Sequence, residues 1–242
     1  MISKIRCDHR IRKRIKEPLV INSFSSDGKS TTQLKGQFVF FQVLIDCLLE
    51  LKPNETDKNE LITLYQNAYQ GNNNELKNLK EFQQNYSSEK ALCWYTRESF
   101  FYQTINAALR TKNIHMMFLL RSYIFDIQQQ LQKYQFNNIL IVYRSQIMSK
   151  HEFETFKKSE GQLISVNSFF STSQNRSFTI FMLGETSSTV NWERILFEID
   201  VDPNVSKTKP FADISQFSHF KNEDEILFMT GSIFRVNQIV YD

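Results

Sequence analysis

Three groups of side chains in the second half of the chain have types and spacings that could do chemistry together. Arg144 closes the apolar run Ile141-Val142-Tyr143-Arg144. At the end of a strand its planar donor fork would project from a rigid element toward a cleft, where it suits a pyrophosphate. Alone, it reads equally well as a surface arginine in an ion pair. The run Ser168-Phe169-Phe170-Ser171-Thr172-Ser173 places hydroxyls after a strand, where they can bond a sugar, a carboxylate or the next helix. Ser173 by itself is a candidate helix N-cap. Glu223-Asp224-Glu225 leads into the apolar run Ile226-Leu227-Phe228. In extended backbone Glu223 and Glu225 face the same way, about 6.5 to 7 Å apart, with Asp224 opposite. Two acids on one face of a strand mouth are unusual unless something cationic meets them, although an acidic turn before a strand is the commoner occurrence.

These groups lie where the hydrophobic period changes. From about residue 36 to 136 the apolar positions recur at helical spacing, with Phe38, Phe41, Leu44, Ile45, Leu48 and Leu49 as one stripe. Helix starts are expected at Asp57, which has Glu60 three residues on, and at Ser87 ahead of a long stretch through Arg110. Gly71 and the asparagines after it mark a turn between helices. After Phe136 the period becomes two. Asn138 to Arg144, Ile195 to Val201, Ile226 to Phe228 and Ile233 to Tyr241 read as short strands, interrupted by helices over about 150–158 and 175–183. Helices first and strands afterwards predict an α+β fold.

Composition agrees with a globular chain. The 242 residues are 41% apolar, with 22 Phe but only 6 Gly and 4 Pro, which excludes collagen-like and linker-like classes. The most apolar stretch, Phe38 to Leu51, is interrupted by Gln42 and Asp46 and is too short for a membrane span. Residues 1–16 carry seven basic side chains against Asp8 alone, so the arm is basic and the remainder mildly acidic although the whole chain is +3. No folded nucleic-acid motif accompanies that arm, so nucleic acid is not an expected partner. Cys7, Cys47 and Cys93 are odd in number and far apart, which suits buried reduced thiols and a cytoplasmic setting. No secretory leader is evident.

Several familiar signatures fail. Gly28-Lys29-Ser30 resembles the end of a phosphate loop, but its first glycine would be Ser23. The glycines never take the G-x-G-x-x-G spacing. His151-Glu152 begins like a zinc-binding helix, yet position 155 is threonine, so no metal is expected. A G-x-S-x-G elbow is absent.

What survives resembles the arginine-specific mono-ADP-ribosyltransferases, a family defined by Arg, Ser and Glu motifs. "IVYR" looks like its first motif, "FFSTS" like its Ser-Thr-Ser motif and "EDEILF" like its Glu-x-Glu motif, in the same order. The resemblance extends to "FADISQFSHF", "GSIFRV" and "ALCWYTRESFFY", and covers roughly residues 36–242. It implies a helical bundle (36–136) packed on a mixed or antiparallel β core (137–242), forming one catalytic domain (36–242); residues 1–35 lie outside the resemblance and read, from their charge, as a basic, flexible arm. It also implies that NAD is the substrate that is cut, with NADP open as an alternative and no tightly bound cofactor. Arg144, Ser171 and Glu225 would be catalytic, and Arg144, Ser145, Ser171, Thr172 and Ser173 would contact NAD. Glu223 would receive a protein or small-molecule arginine acceptor. Members often have glycine after the motif arginine, letting backbone approach the nicotinamide; here it is Ser145. Trp192 and Phe178 are candidate rings over the nicotinamide. An NAD glycohydrolase, with water as acceptor, and a catalytically silent interaction module are the alternative functions.

Overall fold

The computed structural model describes residues 15–24, 32–97, 99–184, 191–204, 209–218 and 224–241. Six of its helices make the first layer: α1 (Thr32–Glu50), α2 (Glu55–Ala68), α3 (Asn73–Asn85), α4 (Ala91–Thr96), α5 (Phe100–Thr111) and α6 (Ile114–Lys133). In α1 the apolar stripe buries Phe41, Ile45 and Leu48, while Val39, Phe40 and Val43 face outward. Helix α2 starts one turn earlier than Asp57. Its N-cap is Asn54, whose side chain accepts from Asp57 N at 2.8 Å while the Asp57 carboxylate accepts from Asn54 N at 3.4 Å. Asp57 therefore closes a capping box as its third helical residue.

The long helix expected after Ser87 is broken into a 3-10 turn (Ser88–Lys90), α4 and α5. Arg97 leaves helical geometry between them, with ψ of 143°, and its guanidinium pairs with Glu81 through two hydrogen bonds of 2.8 and 2.9 Å while lying 4.5 Å over the Trp94 ring. The break lets α4 and α5 both turn aromatics inward. Phe82 then meets Trp94, Phe100, Phe101 and Tyr123 at centroid distances of 4.9 to 5.6 Å.

One buried ion pair fixes the outer helices. Arg121 of α6 donates to the Asp57 carboxylate and to the carbonyls of Lys52, Phe118 and Leu51 at 2.8, 2.7 and 3.3 Å. Hydrogen bonding from Arg121 holds the Asp57 carboxyl below the usual carboxylate range. The resulting stabilisation is present above the unfolded-state value and is lost as pH falls through the lowered folded one. Arg121→Met should cost about 3 kcal/mol in denaturant unfolding at neutral pH, because an acid and three carbonyls lose their donor. It should also flatten the acid limb of the stability profile; a limb as steep as in the parent chain would refute this account.

The second layer contains strands β1 (Ile21–Phe24), β2 (Leu140–Ser149), β3 (Leu163–Val166), β4 (Phe170–Ser173), β5 (Trp192–Val201), β6 (Phe211–Asp213), β7 (Glu225–Phe228) and β8 (Ile233–Arg235). Two further helices, α7 (Lys150–Lys157) and α8 (Arg176–Leu183), join β2 to β3 and β4 to β5. All strand pairs are antiparallel. One sheet has the order β1-β3-β8, the other β5-β2-β4-β7-β6. The fold is thus α+β, with helices on two antiparallel sheets.

Residues 15–24, read from sequence as part of a flexible arm, instead carry β1, whose Ile21 to Phe24 pair with Val166 to Leu163. The final strand is also shorter than expected, since residues 236–241 carry no regular element. Cys47 and Cys93 are exposed rather than buried. Cys7 lies outside the described residues. Among the described residues no helix is long and apolar enough to cross a membrane.

The layers are joined at the start of β4. Asn106 of α5 donates to the Tyr95 hydroxyl at 2.9 Å and accepts from Phe169 N at 3.2 Å, all within the buried core. Gly231 makes the turn from β7 to β8 at φ +80°, and its carbonyl accepts from the Gln42 amide of α1 at 2.9 Å. The positive φ is what favours glycine there; a Cβ would sit 3.0 Å from the end of the flexible Gln42 side chain, which would have to give by a few tenths of an ångström.

Candidate active site

The site is created by a fork in the larger sheet. β2 pairs with β5 along its whole length, from Leu140↔Val201 to Ser149↔Trp192. On its other edge it meets β4 at Tyr143↔Ser173 alone. Because the pair is antiparallel, β4 continues through Gln174 into α8 on the Val142 side of that rung, while on the Arg144 side it runs back through Thr172 to Phe170, paired with β7 and not with β2. Arg144 is therefore not at a strand end, as the apolar run had suggested. It sits inside a ten-residue strand, at the point where one edge opens.

Three strands supply the arginine, serine and glutamate singled out in the sequence. Arg144 Nη1 donates to Ser171 O at 2.8 Å and Nη2 to Gln146 Oε1 at 3.3 Å, with the guanidinium 4.7 Å from the centroid of the Phe170 ring. Ser171 Oγ donates to Glu225 Oε1 at 2.5 Å. In register Ser173 faces Glu225 and Ser171 faces Leu227, so the Ser171–Glu225 bond is a diagonal contact across the β4–β7 pair. Glu225 is only 1% exposed. A buried acid needs donors aimed at it, and the Ser171 hydroxyl is one. A cleft lined by Tyr143, Arg144, Ser145, Ser171, Ser173, Phe178 and Glu225 brings these groups to one place.

The other expected residues divide. Ser145 also lines the cleft, but its hydroxyl donates to the Thr179 carbonyl of α8, so it ties β2 to that helix. Thr172 Oγ1 donates to Ile226 O at 3.0 Å and clamps β4 to β7. Ser171 to Ser173 lie within β4, not after it. Ser173 is not the helix cap either. Its hydroxyl accepts from Asn175 N at 3.0 Å, and Asn175 is the residue whose side chain caps α8 by accepting from Phe178 N at 2.9 Å. Of the two candidate rings, Phe178 lines the cleft, whereas Trp192 is half-exposed at the start of β5, opposite Ser149 at the far end of β2.

The acidic pair needs one correction. Glu223 lies outside the described residues, and Asp224 has φ of +42°, a left-handed rather than extended backbone. The extended backbone expected at Asp224 therefore does not hold; regular strand begins only at Glu225. The Asp224 carbonyl accepts from Gln174 N at 3.1 Å, which fixes the turn against the end of β4.

Sequence reasoning missed Gln146, Thr179, Met182 and Ile15. Gln146 had a usable signal, since a residue two along an extended strand shares a face with Arg144. Ile15 had none.

A two-layer α+β fold, with an arginine, a strand serine and a buried glutamate around one cleft, defines a fold of the ADP-ribosyltransferase type. The sequence profile of the ADP-ribosyltransferase exoenzyme family matches residues 52–242. The chain belongs to that family and is an ADP-ribosyltransferase, with NAD as the substrate its relatives use. No curated protein sequence matches it significantly. Similar solved structures include the Vis toxin of Vibrio splendidus, at 20% identity over 82% of this chain and 85% of that one, with a TM-score of 0.46. Plx2a of Paenibacillus larvae aligns at 18% identity over 72% and 87%, with a TM-score of 0.48. The C3 exoenzyme of Clostridium limosum aligns at 21% identity over 64% and 80%, with a TM-score of 0.44.

Proposed function

We propose that the chain transfers one ADP-ribose unit from NAD to an arginine side chain. The observation that carries this reading is the Ser171–Glu225 hydrogen bond in the same cleft as Arg144. Breaking the nicotinamide–ribose bond leaves an oxocarbenium-like sugar, as in glycoside hydrolysis, and nicotinamide departs with the bonding electron pair. Glu225 places negative charge beside that developing cation and accepts from a ribose hydroxyl. Ser171 holds the carboxylate in position. Arg144 clamps the pyrophosphate, so remote binding energy orients the reacting carbon. The walls of the NAD cleft include Ser145, Thr172 and Ser173, whose hydroxyls each make a hydrogen bond within the protein.

Glu223 receives the acceptor. A guanidinium is a poor nucleophile because, with a pKa above about 12, it stays protonated at neutral pH, and a carboxylate two residues before Glu225 can recruit it and take its proton as the new C–N bond forms. Its place in this scheme rests on that sequence position.

The decisive experiment incubates the purified chain with labelled NAD or NADP and agmatine. Label transferred to agmatine supports the reading. Nicotinamide release without transfer points to a glycohydrolase, and no consumption of either dinucleotide removes the enzymatic reading. Glu223→Gln should lower transfer by about a hundredfold and leave NAD hydrolysis within a few-fold of the parent. Parallel loss of both activities would defeat the separate role of Glu223.

A further inference from the structure

The open edge of β2 is covered by the N-terminal segment. Just past the fork, Ile147 N donates to Ile15 O at 2.7 Å, taking up a position on the edge that β4 has left. Gln146, which is fully buried, donates through Nε2 to Ile15 O at 3.0 Å and Glu17 O at 2.8 Å. Its Oε1 accepts from Arg144 Nη2 at 3.3 Å. One amide therefore joins the segment to the cleft arginine. The Ile15 side chain is 6% exposed, packs with Met182, Ile147 and Phe178, and lines the cleft. Glu17 anchors the outer end, accepting from Arg110 Nη1 at 3.0 Å and the Tyr102 hydroxyl at 3.3 Å, both on α5.

We propose that Ile15 to Glu17 forms a wall of the dinucleotide cleft and that Gln146 is a positioning residue that sets the Arg144 guanidinium through that wall. This rests on the reading of the cleft as an NAD site. The amide has both polar ends committed, so it cannot rotate without losing either the arginine or two buried carbonyls. A guanidinium held by a fixed acceptor keeps one orientation. That preorganisation reduces the ordering cost of binding a pyrophosphate.

The test is a double-mutant cycle read by titration with NAD and with ADP-ribose, which share the pyrophosphate. In the full chain Gln146→Leu should weaken both ligands about tenfold, the size of one charge-assisted hydrogen bond. In an Arg144→Ala background the same change should cost less than about twofold. A residue that merely supports the fold would lower the unfolding midpoint without this dependence on Arg144. Equal losses in both backgrounds, or no loss in either, would overturn the positioning role while leaving the NAD reading intact. Tighter binding after the change would show that the segment plugs the cleft rather than walls it. Absence of NAD binding by the parent chain would instead sink the site assignment and this inference with it. If Gln146→Leu does not fold, Glu17→Gln releases the segment at its outer anchor. It should weaken both ligands by about threefold, again only when Arg144 is present.

Discussion

Glu225→Gln is expected to reduce both ADP-ribosyl transfer and NAD hydrolysis by about a thousandfold, with NAD affinity within about threefold of the parent. The amide keeps the shape of the carboxylate, and the Ser171 hydroxyl that lies 2.5 Å from Oε1 can still donate to its oxygen. What disappears is the negative charge. Preorganised groups of this kind contribute about 3 to 4 kcal/mol when they face charge that develops only at the transition state. Both outcomes pass through the same sugar cation, so both should fall together, unlike the split expected at position 223. Because Glu225 is almost wholly buried, replacing its charge with a neutral isostere should leave the unfolding midpoint unchanged or raise it. Comparing rates and melting curves for the two proteins separates a catalytic loss from a folding one. Hydrolysis surviving at a tenth of the parent rate would end the electrostatic assignment.

Arg144→Ala is expected to weaken NAD by about thirtyfold to a hundredfold, the range of one to two lost charge-assisted hydrogen bonds. Part of that loss is indirect, because Arg144 also donates to Ser171 O and covers the Phe170 ring, contacts that hold the fork. Arg144→Lys distinguishes the two contributions. An ammonium retains the charge but cannot donate two parallel bonds, so it should recover no more than about a third of the lost binding energy. Calorimetric titration with NAD measures both variants. If either bound NAD as tightly as the parent chain, the pyrophosphate would have to be held elsewhere.

The sequence was most informative where local period and chemistry coincide. Phe170 to Ser173 and Glu225 to Phe228 pair with each other, and their hydroxyl and acid are visible as types in the chain. The second half of β2 gave no comparable signal. Ser145 to Ser149 is mostly polar because one of its edges lines a cleft and the N-terminal segment rather than another strand, so the apolar run ends at Arg144 while the strand continues. β1 is four residues long, and Ile21-Asn22-Ser23-Phe24 acquires its conformation from pairing with β3 far along the chain. The bend at Asp224 was hidden for a related reason. An aspartate tolerates the left-handed region, so nothing in its type distinguishes a bend from a strand. Arg97 broke an apparently continuous helix because its partner, Glu81, belongs to a different helix and lies sixteen residues earlier.

Asn106 gives the helical layer a second purpose. Its amide spans from a tyrosine hydroxyl in the bundle to the peptide nitrogen immediately ahead of β4. The height at which that strand enters the sheet is thereby referenced to α5, and Ser171 lies only two residues further on. Screens for inactive variants should consequently recover lesions inside the bundle, remote from any substrate, that shift the serine by altering the post to which its strand is hung.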